Sequence, residues 1–182
     1  MSLFHFGSLP NLITLGRLVL VPVVMTMIAT QRWPEACLLF LVAGIYDAVD
    51  GWLAKTFDLR TELGAYLDPV ADKALIVSIY VALAIAAVLP ATLAIIVVSR
   101  DLMIVGAIMI SWLLRKPVEI RPLLISKLNT VVQISFAAVV LGVKAFGFSL
   151  GIWFDLSLYL VAALTLASMA AYLAQWVRHM GL

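Results

Sequence analysis

The chain has 182 residues, of which 65% are hydrophobic and only 12% are charged. Its mean hydropathy of +1.15 excludes an ordinary soluble domain and indicates an integral membrane protein. The net charge of +2, with no basic run, gives no reason to expect nucleic-acid binding. The single cysteine, Cys37, excludes an internal disulfide and a cysteine-based metal site.

Six apolar segments are long enough to span a bilayer, which takes about 20 residues per helix. We predict spans at 12–30, 35–54, 65–89, 91–114, 124–145 and 152–176. Short connections leave no room for a soluble domain, so we predict one all-α domain, 1–182, built as a six-transmembrane-helix bundle. Because the first segment is long and lacks a small-residue cleavage site, we do not expect it to be a removed signal peptide.

The basic residues near the ends of the spans predict the orientation of the bundle. Most fall on the side of the two termini: Arg17, Lys55, Arg60, Arg115, Lys116, Arg121, Lys127 and Arg178. Only Arg32 and Lys144 fall on the opposite side, where the aromatic residues Trp33, Phe146, Phe148, Trp153 and Phe154 gather. Because Lys and Arg favour the cytoplasmic side and aromatic rings the interface, we expect both termini in the cytoplasm.

Four aspartates lie within 26 residues of this apolar chain, where the second span ends and the third begins. Asp47 and Asp50 are three residues apart, and Asp68 and Asp72 four, so each pair lies on one helical face. Each ionised carboxylate at membrane depth costs roughly 2.5–3.5 kcal/mol, so the group needs a compensating cation. An oxygen-only ligand set suits a hard divalent ion such as Mg²⁺, Mn²⁺ or Ca²⁺, and two ions are plausible.

Two other interpretations of the acidic group remain open. The carboxylates would form internal ion pairs with Lys55, Lys73 or Arg100, or they would line the cation pathway of a transporter. Neither interpretation explains the spacing of the four residues.

The acidic segment resembles the signature of the CDP-alcohol phosphotransferase family, membrane enzymes with six core helices that make phospholipids. The match is Asp47-x-x-Asp50-Gly51-x-x-Ala54-Lys55, eight residues, then Gly64-x-x-x-Asp68-x-x-x-Asp72. Every spacing agrees, but Lys55 stands where the family usually has arginine. Upstream, Asn11-x-x-Thr14-x-x-Arg17 is similar to a family element beside the nucleotide pocket. Its other interpretation is a helix cap followed by an inner-face arginine.

The resemblance implies transfer of a substituted phosphate from a CDP-linked donor to an alcohol, with release of CMP. It implies that Asp47, Asp50 and Asp68 are the principal ligands of a divalent metal, Mg²⁺ or Mn²⁺. Asp72 would contribute to the metal site and act as general base. For the donor, it implies binding by Asn11, Thr14, Arg17, Gly51, Ala54 and Lys55, with Arg60 able to compensate for the missing arginine. The lysine ammonium is a single point charge, whereas the arginine guanidinium can bind a phosphate bidentately, so the contact with the pyrophosphate would differ.

Three further strings, LDPVADKALI, VSRDLMIVGA and RPLLISKLNTVVQ, are most similar to the mitochondrial-type cardiolipin synthases, a branch of the family found also in some bacteria. The resemblance then implies CDP-diacylglycerol as donor, phosphatidylglycerol as acceptor and cardiolipin as product. Glycerol 3-phosphate, which would give phosphatidylglycerophosphate, is the alternative acceptor. The same resemblance implies a homodimer in a bacterial inner (cell) membrane with the active site on the cytoplasmic side.

Arg100 and Asp101 lie near the middle of the fourth span, where an isolated guanidinium is costly. Arg100 should therefore face the bundle interior and either pair with a carboxylate or bind an anion. We expect Arg100 and Lys127, with Arg121, to bind the phosphate of the acceptor. The alternatives are an internal bridge from Arg100 to an aspartate, and ordinary inner-face charges at Lys127 and Arg121.

Overall fold

A computed structural model of the chain describes residues 9–56, 62–113 and 123–180, with backbone alone at 9–14, 17, 47, 48, 50–56, 62–72, 108, 112 and 180. The described ranges form six helices: α1 (Leu9–Ala29), α2 (Trp33–Thr56), α3 (Glu62–Ile85), α4 (Ala91–Leu113), α5 (Leu124–Phe146) and α6 (Ile152–Met180). Each helix matches one predicted span to within four residues at either end. The prediction of an all-α bundle is therefore confirmed.

Three of the helices are long and apolar enough to cross a membrane, over Ala91–Ser111, Leu124–Phe146 and Ile152–His179. Among the described side chains, shorter apolar helical stretches cover Leu18–Ala29, Trp33–Tyr46 and Lys73–Ile85. These lengths and compositions, together with 65% hydrophobic residues, are those of a membrane protein.

The turns that join the helices explain where the predicted bounds differ from the structure. The third span was predicted to reach residue 89, but α3 ends at Ile85 because Ala87 adopts a left-handed conformation with φ 55°. The backbone N–H groups of Val88 and Leu89 then turn back to the carbonyl of Leu83. The helix thus ends before Pro90 rather than at it. At the end of α5, Gly147 takes φ 70° and donates its N–H to the carbonyl of Val143.

The buried interior is apolar at one end of the bundle and polar towards the other. Helix α1 packs against α2 and α3, α5 packs against α2, α3 and α6, and α4 packs against α3 and α6. The apolar part, near the α1–α2 turn, includes Ile28, Phe40, Leu83, Phe136 and Val140. Among the side chains that the structure describes, the buried polar residues come from the last three helices: Arg100, Asp101, Ser111, Ser126, Asn129, Gln133, Thr165 and Ser168.

Candidate active site

The four aspartates of the acidic motif occupy helical backbone, as their spacing predicted. Asp47 and Asp50 belong to α2, and Asp68 and Asp72 belong to α3. Their side chains lie outside the described part of the structure, so their positions are assigned along each helix only. Helical geometry places both members of each pair on one face of their helix.

The acidic positions of α2 continue the stripe by which this helix packs into the bundle. Ala36, Phe40 and Ala43 are buried along one face of α2. Steps of three and four residues carry the same face on to positions 47 and 50. Positions 47 and 50 therefore continue this stripe along α2, one turn and two turns beyond Ala43.

On helix α3 the buried face also leads to the acidic positions, but it is followed from the C-terminal end of the helix towards its N-terminus. Leu83, Ile79 and Ile76 are buried on its inner face. Steps of four residues towards the N-terminus of α3 lead from Ile76 to positions 72 and 68. Since the chain enters α3 only a few residues after leaving α2, both acidic pairs lie at the same end of the bundle.

A cluster of three charged side chains, Lys73, Asp101 and Arg100, joins α3 to α4 in the polar half of the bundle. The Lys73 Nζ lies 2.7 Å from Asp101 Oδ1, and the Arg100 guanidinium donates to the same oxygen. The Arg100 side chain is 4% exposed, that of Asp101 12% and that of Lys73 36%. Two cations share one carboxylate, so the formal charge of these three side chains is positive.

Arg100 is held by three further side chains. Its NH2 group donates to Ser126 at the start of α5 and, at 3.1 Å, to Ser168 Oγ on α6. The guanidinium carbon also lies 5.6 Å from the centre of the Tyr172 ring, a distance typical of a cation–π contact. Arg100 therefore faces the bundle interior, as predicted. The alternative of an internal bridge is also observed, since Asp101 is its carboxylate partner.

Three contacts fix which residues of α3, α4 and α5 lie at the same level of the bundle. Tyr80 donates its hydroxyl proton to the carbonyl of Gln133, 3.1 Å away. Seven residues earlier on each helix lie Lys73 and Ser126, which are linked through the Arg100–Asp101 pair. Because the two separations are equal, α3 and α5 run in the same direction in register. Asp72, the neighbour of Lys73, therefore occupies a position at the level of the charged cluster.

A contact at the other end of the bundle sets the level of α2. The Lys144 ammonium near the end of α5 lies 5.8 Å from the centre of the Trp33 ring at the start of α2, so these helices are antiparallel. At 1.5 Å per residue, position 50 lies about 26 Å along α2 from Trp33, and Ser126 about 27 Å along α5 from Lys144. Position 50 of the acidic motif is thus level with the charged cluster.

A second set of buried polar contacts lies beside the charged cluster, between α5 and α6. Gln133 Nε2 donates to Thr165 Oγ1 at 3.0 Å, and Thr165 Oγ1 donates to Asn129 Oδ1 at 2.9 Å. All three side chains are at most 2% exposed. These residues form an ordered polar seam (Asn129, Gln133 and Thr165) deep in an otherwise apolar bundle.

The other predicted site residues fall into three groups. Lys127 is exposed on α5, next to the Arg100-bound Ser126. The donor-binding candidates belong to helices, but their side chains lie outside the described part: Asn11, Thr14 and Arg17 on α1, and Gly51, Ala54 and Lys55 on α2. Arg60 and Arg121 lie in the ranges that the structure does not describe.

Sequence reasoning missed the contribution of α6 and the role of Lys73. The last span offered no motif, yet Ser168 and Tyr172 contact Arg100, and Thr165 joins the polar seam. The available signal was the spacing 165, 168 and 172, which puts three polar side chains on one helical face. The sequence offered Lys73 as a possible partner of the four aspartates, whereas its described partner is Asp101.

The donor set of the acidic motif fits a divalent cation. Four carboxylates on adjacent helical turns offer only oxygen atoms, the ligands that Mg²⁺ and Mn²⁺ take. Among side chains that the structure describes, no group of three His, Cys, Asp or Glu residues could hold a metal.

Comparison with known proteins assigns the class. The family model for CDP-alcohol phosphatidyltransferases matches residues 7–177, and the chain belongs to this family. The human cardiolipin synthase (CMP-forming) is 30% identical over 91% of this chain and 60% of its own length. The fission-yeast (Schizosaccharomyces pombe) cardiolipin synthase (CMP-forming)/mitochondrial hydrolase fusion protein is 32% identical over 91% of this chain and 30% of its own.

A third relative carries a different name. The rice (Oryza sativa subsp. japonica) chloroplastic CDP-diacylglycerol–glycerol-3-phosphate 3-phosphatidyltransferase 1 is 32% identical over 92% of this chain and 56% of its own length. The chain thus spans 30–60% of the length of these three relatives. The family resemblance predicted from the acidic motif is confirmed.

Proposed function

We propose that this protein is a cardiolipin synthase that transfers a phosphatidyl group from CDP-diacylglycerol to a free hydroxyl of phosphatidylglycerol, with release of CMP. One observation carries the proposal: the acidic motif of α2 and α3 is level with the charged cluster of net positive charge. A site of this kind has separate places for a cation-bound pyrophosphate and for a second phosphate. Its cardiolipin synthase relatives support the choice of acceptor.

The four carboxylates divide the chemistry between them. One or two Mg²⁺ or Mn²⁺ ions would be bound mainly by Asp47, Asp50 and Asp68. Asp72 would also contribute to this metal site. When bound, the metal neutralises the pyrophosphate and the charge that develops on the departing CMP. Asp72 accepts the proton of the acceptor hydroxyl. The hydroxyl oxygen forms a bond to the donor phosphorus, and the bond from that phosphorus to CMP breaks. No covalent enzyme intermediate is needed.

The donor contacts come from α1 and α2, which are joined by a tight turn and pack against each other. In this hairpin Asn11, Thr14 and Arg17 occupy the same stretch of the bundle as the acidic positions of α2. Arg17 and Lys55 supply positive charge for the phosphates, and Gly51 and Ala54 leave room for the cytidine diphosphate beside the α2 backbone.

The acceptor phosphate binds at the charged cluster and the start of α5. Among the described side chains, Asp101 is the carboxylate that Arg100 and Lys73 share, and the two cations would together attract an anion. Helix α5 begins at Leu124, close to Arg100, and the positive end of its dipole favours an anion. Lys127, and Arg121 just before the helix, extend this positive region.

We infer that all six helices span the membrane, with both termini and the site on the cytoplasmic side. The distribution of Lys and Arg supports this orientation, as do the exposed Phe146, Phe148 and Trp153 at the opposite end. Phosphatidylglycerol and CDP-diacylglycerol would then enter sideways from the inner leaflet of a bacterial cell membrane. We further propose that the protein is a homodimer, as the family resemblance implies.

The acceptor is tested with purified protein, CDP-diacylglycerol and Mn²⁺ or Mg²⁺, with phosphatidylglycerol or glycerol 3-phosphate added separately. We expect cardiolipin and CMP from phosphatidylglycerol, identified by mass spectrometry, and loss of both products after metal chelation. Product from glycerol 3-phosphate alone would replace the proposal by phosphatidylglycerophosphate synthesis, the activity named for the rice relative. Metal-dependent flux into liposomes without CMP release would instead favour a cation transporter.

Replacement of Lys127 tests the acceptor-phosphate site separately. Lys127→Ala is expected to raise KM for phosphatidylglycerol roughly fivefold, because one partly hydrated phosphate contact is lost. The KM for CDP-diacylglycerol should stay unchanged in the same steady-state assay. Lys144→Ala is the matched control, since Lys144 is also exposed on α5 but at the opposite end. Equal effects of the two substitutions, or an equal rise in both KM values, would remove Lys127 from the acceptor site.

A further inference from the structure

The hydroxyl of Ser168 on α6 accepts hydrogen bonds from two nitrogens of the Arg100 guanidinium. Nε of Arg100 lies 3.3 Å from Ser168 Oγ, and the NH2 nitrogen lies 3.1 Å from the same oxygen. Ser168 is fully buried, and Arg100 is nearly so. Because the guanidinium is planar and its N–H groups point in fixed directions, an acceptor shared by Nε and NH2 fixes the direction of the group within its plane.

Tyr172, one turn further along α6, contacts the same guanidinium through its ring. The guanidinium carbon of Arg100 lies over this ring, 5.6 Å from its centre, and Tyr172 is 8% exposed. A cation in this position is attracted by the aromatic ring, and more strongly where water is excluded. Ser168 therefore holds one edge of the guanidinium and Tyr172 holds it against a ring, so a long and otherwise flexible side chain is kept in one orientation.

The contacts with α6 direct the other end of the guanidinium towards α3 and α5. There NH1 donates to Asp101, which also accepts a hydrogen bond from Lys73, and NH2 donates to Ser126 at the start of α5. Lys73 and the start of α5 are parts of the acceptor-phosphate site. Helix α6 thus contacts Arg100 on the side that faces away from this site.

A second buried serine joins α4 to α6 and provides a comparison. Ser111 accepts a hydrogen bond from Trp176 Nε1 at 2.9 Å, and it is fully buried, as Ser168 is. Its described hydrogen bonds involve Trp176 and the carbonyl of Ala107, and not Arg100. The two serines therefore separate loss of contact between the helices from loss of the orientation of Arg100.

We propose that Ser168 and Tyr172 are positioning residues that hold Arg100 in the orientation in which it attracts the phosphate of the acceptor lipid. This inference rests on the proposed function, because it takes Arg100 as part of the acceptor-phosphate site. Ordering a long side chain costs free energy when a ligand binds, so a guanidinium that is already oriented binds its ligand more tightly. Helix α6 then controls the affinity for the acceptor through Arg100.

Replacement of Tyr172 tests the contribution of its ring. Initial rates are measured with purified protein, Mn²⁺ and CDP-diacylglycerol while the concentration of phosphatidylglycerol is varied. Tyr172→Leu is expected to raise KM for phosphatidylglycerol roughly tenfold, because a desolvated cation–π contact is lost. Tyr172→Phe keeps the ring and should leave this KM within about twofold of the unchanged value. The KM for CDP-diacylglycerol should stay constant in both variants.

Ser168→Ala and Ser111→Ala form a matched pair. Both are expected to lower Tm in detergent, because each removes a buried hydrogen bond between α4 and α6. Only Ser168→Ala should raise KM for phosphatidylglycerol, by roughly fivefold. Equal effects of the two substitutions on this KM would assign Ser168 to packing alone and overturn its positioning role.

Arg100→Lys tests whether Ser168 acts through Arg100. Lysine keeps the charge beside Asp101 but lacks the planar group that Ser168 orients. Adding Ser168→Ala to Arg100→Lys should therefore leave KM for phosphatidylglycerol almost unchanged, whereas additive effects would mean that Ser168 acts independently of Arg100. If Arg100→Lys does not fold, the contrast between Tyr172→Leu and Tyr172→Phe decides the question.

The outcomes distinguish this inference from the proposed function. If the unchanged protein forms no cardiolipin from phosphatidylglycerol, the proposed function fails and the inference fails with it. If cardiolipin forms but Ser168→Ala and Tyr172→Leu leave KM for phosphatidylglycerol unchanged, only the positioning role fails. A parallel rise of KM for both substrates would also overturn that role, because it indicates a general disturbance of the bundle.

Discussion

Asp72→Asn is expected to lower the rate of CMP release by at least about 100-fold, the usual scale for loss of a general base. Asparagine has nearly the same shape as aspartate and keeps an oxygen that can bind a metal, but it does not accept the proton of the acceptor hydroxyl. Donor binding should therefore largely survive. Turnover is followed by release of labelled CMP, and donor affinity by competition with CDP-diacylglycerol in the presence of Mn²⁺.

Asp155→Asn is a suitable control for this substitution. Asp155 is exposed in the first turn of α6, and it lies near the aromatic end of the bundle rather than near the acidic motif. Its replacement removes the same charge without affecting the site, so activity should stay at the unchanged level. Substantial activity in Asp72→Asn would assign the proton to another group, whereas loss of donor binding together with activity would assign Asp72 to the metal site alone.

Asp101→Asn is expected to destabilise the bundle by about 3 kcal/mol, the lower end of the range for removing one partner of a buried ion pair. Arg100 is almost completely buried, and Lys73 lies at the same carboxylate oxygen. Without the charge of Asp101, the cations of Arg100 and Lys73 would lie side by side without the carboxylate that they share. Unfolding in detergent micelles, followed by circular dichroism with increasing denaturant, measures the loss of stability.

Two further variants make this result specific. Lys73→Met added to Asp101→Asn removes one of the two repelling charges and should recover part of the lost stability. Glu35→Gln breaks the exposed pair in which Arg32 lies 2.7 Å from Glu35, and it should cost less than about 1 kcal/mol. If Asp101→Asn is no more destabilising than Glu35→Gln, the charged cluster is not what holds α3 against α4.

Much of the fold could be predicted because the helices of a membrane protein are long apolar segments that satisfy their backbone hydrogen bonds internally. Lengths of about 20 apolar residues, ended by short polar turns, predicted all six helices to within four residues. The error at the end of α3 came from a turn that Ala87 makes with a positive φ. Alanine carries no sequence signal for such a conformation, whereas Pro90, a few residues later, carries a strong one.

The grouping of the four aspartates could also be predicted from the sequence, because a helix of fixed pitch places residues three and four apart on one face. That is sufficient to group Asp47 with Asp50, and Asp68 with Asp72, and the same spacings carried the family resemblance. The polar contacts of α6 could not be predicted from the sequence. Ser168 and Tyr172 are ordinary residues in an apolar helix until another helix brings Arg100 to them.

By itself, then, the sequence determined properties that depend on one helix at a time: its length, its apolar character, the face of each acidic pair and the membership of a family. Only the tertiary structure decided the pairing of Lys73 with Asp101, the burial of Arg100 among α4, α5 and α6, and the hydrogen bonds that join Asn129, Gln133 and Thr165. The physical reason is that these contacts depend on the relative height and rotation of separate helices. Those quantities follow from how all the side chains pack together, and no periodicity within a single helix encodes them.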